Sequence, residues 1–301
     1  MSQLLTEFTS SPLLLCESAQ QEVELLLTRT LQNQNSDHTI GKPVFRAQHS
    51  KMIAADKVSS DDPFDDYEED SIVIIPITGI MTKYNTIDWD EWRYVIGMDT
   101  IASILKKANE SPKISGTILL INTPGGSTQS IYQLEIALRN RTKPCVAVVD
   151  GMCMSGGMYV ASFCDEIYAV HPMCEVGNIG TFAKIIDTTK MDEKFGIKVI
   201  SVYPPESKYK NLAVREAIEG KTERLIDEQL SPFAKHFQEI IKTNRPKLDT
   251  SVEGIIEGAD FYAHDAVRYN LIDGIMTLDQ VVEQTRRLII DRNIIYSSIK
   301  N

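Results

Sequence analysis

Ser155 stands in the run Gly151-Met-Cys-Met-Ser-Gly-Gly157, between the strand-like stretch Pro144-Cys-Val-Ala-Val-Val-Asp150 and the helical-period stretch Met158-Tyr-Val-Ala-Ser-Phe-Cys164. A serine at such a strand-to-helix corner has its hydroxyl lifted out of the sheet, and the next backbone N–H lies at the positive end of a helix. This suits a nucleophile whose attack creates an oxyanion. A second glycine turn, Thr123-Pro-Gly-Gly-Ser127, ends another apolar run about 30 residues earlier. The N–H groups of Gly126 and Gly156 then offer two donors for an oxyanion hole. The same pair fits a thioester enolate, so the two turns alone leave acyl transfer and acyl-CoA chemistry both open. The plain alternative is a glycine-rich helix start capped by a serine.

Short apolar runs at 72–77, 116–122, 144–149, 165–169 and 197–203 read as strands. Helical spacing follows over 99–108, through Leu134 and Leu138, after Ser155, over 188–195 and 219–242, from His264 to Tyr269, and from Leu278 onward. Strand–helix alternation predicts an α/β fold with a mainly parallel sheet, helices outside, and sites in the loops at the strands' carboxyl ends. Ahead of this body, residues 10–34 show helical spacing and residues 35–60 read as a linker. The run Asp61-Asp-Pro-Phe-Asp-Asp-Tyr-Glu-Glu-Asp70 lacks the spaced ligands and central glycine of a calcium loop and reads as a solvated, self-repelling linker. The expected organisation is a helical arm and acidic linker over 1–70, the α/β body over 71–285, and a C-terminal helical tail over 286–301.

The chain has 301 residues, 43% hydrophobic and 24% charged, with a formal net charge of -11. The acidic balance argues against nucleic acid or an anionic membrane surface as partner, since both require a basic face. Its five cysteines, an odd count with four of them in or beside apolar stretches, suit reduced buried thiols, and none has the close double spacing of a zinc site. Cys153 reads as a small buried hydrophobe with no histidine near it in sequence. The first residues lack a basic region and long apolar run, and no apolar stretch approaches the roughly 18 residues of a membrane span. A soluble, cytoplasmic protein is expected.

Asn122-Thr-Pro-Gly-Gly-Ser127, Met154-Ser-Gly-Gly-Met-Tyr159 with Cys164-Asp-Glu-Ile-Tyr-Ala169, Gly177-Asn-Ile-Gly180 and Phe261-Tyr-Ala-His-Asp-Ala-Val-Arg-Tyr-Asn-Leu-Ile-Asp-Gly274 occur in this order. Together they resemble the signal peptide peptidase A (protease IV) family of the Clp-protease/crotonase superfamily, which includes phage prohead proteases. The resemblance covers about 70 to 285 and implies a serine endopeptidase with a Ser–Lys dyad and no metal or organic cofactor. Ser155 matches the nucleophile. The family's tyrosine- or histidine-lysine step matches Tyr209-Lys210, with Lys208 as the second choice; without the resemblance both read as solvated loop lysines. The lysine must be neutral to accept a proton, so burial has to lower its pKa from about 10.4. The resemblance also implies a ring or stacked homo-oligomer, in some members with the lysine supplied by a neighbour. The implied partner is a peptide or protein substrate, with phage capsid or scaffold proteins among the candidates. The turn Gly177-Asn-Ile-Gly180 carries Asn178 where the family usually has serine. A Ser–His–Asp triad is the rival mechanism, but the position it needs is glycine-rich and His171 comes too early. A crotonase-like acyl-CoA enzyme and an inactive assembly protein of the same fold are the competing functions.

Overall fold

The computed structural model describes residues 13–15, 51–52, 63–88 and 93–300. The strands are β1 (Leu13–Leu15), β2 (Lys51–Met52), β3 (Ser71–Thr78), β4 (Thr86–Asp88), β5 (Arg93–Val95), β6 (Ile114–Thr123), β7 (Gly125–Ser127), β8 (Cys145–Met154), β9 (Glu166–Ala169), β10 (Glu175–Gly177), β11 (Asp260–Tyr262) and β12 (Gly274–Ile275). The helices are α1 (Met98–Glu110), α2 (Tyr132–Arg139), α3 (Gly156–Ala161), α4 (Thr189–Lys194), α5 (Leu212–Ile218), α6 (Ser231–Asn244), α7 (Ala263–Arg268) and α8 (Leu278–Lys300).

Among the described residues, eight strands form one sheet with the order β11-β10-β8-β6-β3-β2, β9 joining β8 and β12 joining β9. Every pair in it is parallel except β10 with β11. β8 is the hub: β6 takes one edge, while β9 pairs with Val146–Val149 and β10 with Met152–Met154. The strands read as unbroken apolar runs because both faces are covered. In β3, Val73, Ile75 and Ile77 face the large core with Ile101, Leu134 and Tyr159, while Ile72 and Ile74 face a smaller core that includes Val281 of α8. Each fully buried side chain of this size contributes about 1.5–3 kcal/mol. This is the predicted α/β architecture of strand–turn–helix repeats.

Several expectations are corrected. The acidic run is not a free linker over its described part, because Phe64 and Tyr67 are buried in the large core, edge to face at 5.4 Å. Its charges face solvent, and the Lys113 ammonium donates to the carbonyl oxygens of Phe64 and Asp65. Residues 197–203 form no strand, because among the described residues no strand pairs with them, and Ile197, Val199, Ile200 and Val202 lie exposed. The helix expected over 219–242 starts later, at a single turn, Glu223–Leu225, passes through a π turn, Ile226–Leu230, and continues as α6. Pro232, which has no N–H to donate to the preceding turn, sits just after the π turn. Leu13–Leu15 is a strand where helical spacing was read, and Lys51–Met52 is a strand inside the expected linker. The rest of the arm and linker, and Trp89 and Trp92, lie outside the described residues.

The tail does not separate from the body at residue 286, since α8 runs through that point without a break. Leu288 and Ile289 pack on the smaller core, and Arg292 reaches Asp165 at 3.1 Å. Asp165 also pairs with Arg141 at 3.1 Å and accepts the N–H of Cys145 at 2.8 Å, tying the start of β8 to α8 and to the turn that precedes β8.

Candidate active site

The parallel strands β6 and β8 end side by side, and the two glycine turns leave from their carboxyl ends. Ser155 joins β8 to α3 and is buried. Its backbone sits at φ 49°, ψ -111°, a conformation that side chains other than glycine's rarely adopt. Two hydrogen bonds hold the corner: the Ser155 N–H donates to the Gly177 carbonyl at 2.8 Å, and the Tyr159 N–H donates to the Ser155 carbonyl at 2.9 Å. The hydroxyl has one polar neighbour among the described residues, the Gly180 carbonyl at a long 3.5 Å. The N–H of Gly156, first residue of α3, has no acceptor inside its own helix. Gly157 lets α3 dock on β6, since a Cβ there would stand 2.6 Å from the Thr123 methyl.

The other glycine turn is equally fixed. The Thr123 hydroxyl donates to the Gly79 carbonyl at 2.6 Å and accepts the Gly125 N–H at 3.1 Å. Met81 donates to the Gly125 carbonyl at 2.7 Å and accepts the Ser127 N–H at 3.2 Å. A Cβ on Gly126 would lie 1.9 Å from the Met81 carbonyl oxygen, so no side chain fits. Backbone groups alternate sides along a strand. With Gly125 and Ser127 engaged by Met81, the N–H and C=O of Gly126 face the opposite edge. The two donors expected from sequence therefore stand on neighbouring strand ends, and the Gly126 donor points outward.

Asn178, the departure from the family pattern, occupies the left-handed region at φ 56°. Its side-chain amide donates to Asp260 at 2.8 Å and to the Gly258 carbonyl at 3.3 Å, and its N–H donates to the Ala259 carbonyl at 2.9 Å. It thus braces the turn whose Gly177 carbonyl holds Ser155. The 82-residue separation from Asp260 left no signal in the sequence.

Lys210 lies on the exposed turn before α5, its N–H bonded to the Ser207 carbonyl at 2.9 Å. Lys208 is exposed too, its ammonium 5.1 Å from the centre of the Tyr209 ring. Among the described residues neither lysine hydrogen-bonds to Ser155, while Gly156 follows it directly at the start of α3 and Gly126 lies on the turn that leaves the neighbouring strand. Cys153 is wholly buried and burial pushes its thiol far up, which keeps it protonated. His171 accepts the Met173 N–H at 3.2 Å as a strand-end residue, and His236 sits 3.2 Å from the Tyr159 hydroxyl. Among the described residues no helix is long and apolar enough to cross a membrane.

Comparison with known proteins bears on this geometry. The chain is 27% identical over 199 residues to Protease 4 of Haemophilus influenzae, a match covering 65% of this chain and 32% of that protein. It is 27% identical over 188 residues to the chloroplastic serine protease SPPA of Arabidopsis thaliana, covering 59% of this chain and 26% of the relative. The chain thus spans about a third or less of these relatives. A solved structure of the 1510-N membrane-bound stomatin-specific protease aligns with a TM-score of 0.45 at 14% identity, over 71% of this chain and 84% of that one. The model of peptidase family S49 matches residues 137–289, a segment that contains Ser155, Gly156 and Lys210. With about half of its length matched, and the glycine-flanked Ser155 inside the match, the chain belongs to peptidase family S49.

Proposed function

We propose that this chain is a serine endopeptidase in which Ser155 is the nucleophile and Lys210 the general base. The Ser155 oxygen attacks the peptide carbonyl while its proton passes to the neutral Lys210 amine. The N–H groups of Gly126 and Gly156 hold the resulting oxyanion. Collapse expels the amine, which takes the proton from Lys210, and water then hydrolyses the acyl-enzyme by the same route. The observation that carries this reading is the backbone of Ser155, bent to φ 49° beside two glycine turns.

The exposure of Lys210 has a place in the proposal. Just before it in sequence, Phe195, Val199, Ile200 and Val202 are each at least 70% exposed. A run of large apolar side chains in water suits contact with a second copy of the chain. Such contact would place Lys210 at the edge of an apolar interface rather than in open solvent. The active form in this proposal is a homo-oligomer working on peptides or unfolded proteins. A phage capsid-processing role and a cytoplasmic location belong to the same proposal; neighbouring genes for portal and capsid proteins would support the first.

The test is cleavage of casein by wild type, Ser155→Ala, Lys210→Ala and Lys208→Ala at matched oligomeric state. The expected result is loss on the order of 10³-fold or more with Ser155→Ala and Lys210→Ala, and near wild-type cleavage with Lys208→Ala. Loss with Lys208→Ala alone moves the base to that residue. Cleavage surviving Ser155→Ala overturns the proposal.

A further inference from the structure

β1 pairs antiparallel with β7, with Leu13 opposite Ser127, Leu14 opposite Gly126 and Leu15 opposite Gly125. The two strands form a small sheet of their own, outside the ladder of the main sheet. β7 does not depend on β1 for its shape, because Thr123 and Met81 already fix it from the other side. What β1 covers is the outward edge of β7, with the N–H and C=O of Gly126 opposite Leu14. An uncovered strand edge is a template for another extended chain, which gains affinity from main-chain hydrogen bonds. This edge adjoins the Ser155 corner, since Thr123, two residues before Gly125, is in register with Cys153, two residues before Ser155.

We propose that Leu13–Leu15 of this chain is a built-in competitor, lying on the outward edge of Gly125–Ser127 where an extended apolar peptide would otherwise pair. The inference rests on the reading of Ser155 as nucleophile for its meaning, but not for its test. A chain that already lies antiparallel along the glycine edge stands where a substrate backbone would lie. It holds the amide assigned to the oxyanion, so binding of an outside peptide requires the arm to leave. The resident sequence, three consecutive leucines, sets the class of ligand: extended segments with successive apolar side chains and no charge. An apparent affinity falls by the fraction of molecules whose edge is open. The arm therefore acts as a built-in competitor.

The experiment uses full-length protein carrying Ser155→Ala, so that nothing is turned over, with and without Leu13→Pro/Leu14→Pro/Leu15→Pro. Prolines abolish the donors of β1 and leave β7 untouched. The probe is a fluorescein-labelled Ser-Pro-Leu-Leu-Leu-Ser peptide, followed by fluorescence anisotropy, with Ser-Pro-Asp-Asp-Asp-Ser as control. The expected result is binding about tenfold or more tighter to the proline variant, with no binding of the acidic control. Equal affinity in both backgrounds, binding in neither, or equal binding of the acidic peptide overturns the proposal. Hydrogen exchange supplies a second reading, with Leu14→Pro alone as a milder change. The Gly126 amide should exchange slowly in the unsubstituted chain, quickly in Leu14→Pro, and slowly again when the leucine peptide is added. An amide indifferent to Leu14→Pro counts against the proposal. If the anisotropy result holds but casein is never cleaved by the parent protein, the catalytic reading fails and the docking edge stands. If casein is cleaved but the arm does not compete, the reverse is true.

Discussion

At Ser155 the fold maintains a conformation that a side chain opposes. Residues in such regions cost about 1–3 kcal/mol each, and glycine occupies them without a Cβ penalty. Ser155→Gly and Ser155→Ala both delete the hydroxyl, but only the first releases the strain. Ser155→Gly is therefore expected to be more stable than Ser155→Ala by about 1 kcal/mol in urea unfolding, with cleavage lost in both. Equal stabilities would show that the corner carries no strain. Gly157 presents the opposite case. Its added Cβ would meet the Thr123 methyl at 2.6 Å. Gly157→Ala should destabilise by about 1–3 kcal/mol, and restoring the space with Thr123→Ser should recover part of it. The strand-to-helix corner at Ser155 was legible from residue type and spacing, because a tight corner leaves few residue types to choose from. Asp260 was not, since its bond to Asn178 is made only once β10 and β11 are paired.

Among the elements, the strands covered on both faces were the easiest to read. β3, β6 and β8 are apolar runs because each has helices on one side and α8 or its neighbours on the other. The acidic turn was misread because its many charges outweighed two aromatic residues, yet Phe64 and Tyr67 decide where the segment goes. The run 197–203 has the β-branched residues of a strand but pairs with no strand among the described residues, and β1 is placed by an edge more than a hundred residues away. Propensity describes a segment; the partner decides its state. Two predictions belong at this scale. Asn178→Ala removes the side-chain bonds to Asp260 and Gly258 and puts a Cβ-only residue at φ 56°. It should cost about 1–2 kcal/mol and lower kcat more than it raises KM, because the Gly177 carbonyl that holds Ser155 loses its brace. Asn178→Gly should recover stability but not the brace. Val202→Asp, on the exposed run, should shift sedimentation toward smaller species and reduce cleavage in parallel; unchanged mass would remove this segment from the proposed interface.

In the whole molecule, several buried acidic protons are held more tightly than in the unfolded chain. The Tyr159 phenol is pushed up by burial and by its hydrogen bond to Glu135, and the Tyr168 phenol by burial and Glu166. The Cys153 thiol is raised by burial, and the Cys164 thiol by its contact with Cys145 and by burial. Folded values above unfolded ones mean that the unfolded chain gives up these protons first as pH rises. Their stabilising share is complete below the unfolded values, about 8.5 for a thiol and about 10 for a phenol, and is lost as pH climbs above them. The urea midpoint is expected to be level between about pH 7 and 8.5 with respect to these groups and to fall above that range. Tyr159→Phe should make the alkaline fall shallower; an unchanged slope would show that Tyr159 is not among its causes.

The register of β6 against β8 carries a consequence for the gene. Ile121 lies opposite Val149, but Thr123 lies opposite Cys153, so β8 spends two more residues than β6 on the same span. The surplus is taken up around Asp150–Met152, where Gly151 turns at φ 110° and the Asn122 side-chain oxygen accepts the Met152 N–H at 3.3 Å. Side chains alternate along a strand, so loss of a single codon here would turn Cys153 and Met154 to the wrong faces and carry Ser155 away from the Gly177 carbonyl that holds it. Loss of two codons would straighten the strand yet keep its facing. Viable insertions and deletions at this point are thus expected to come in pairs of codons.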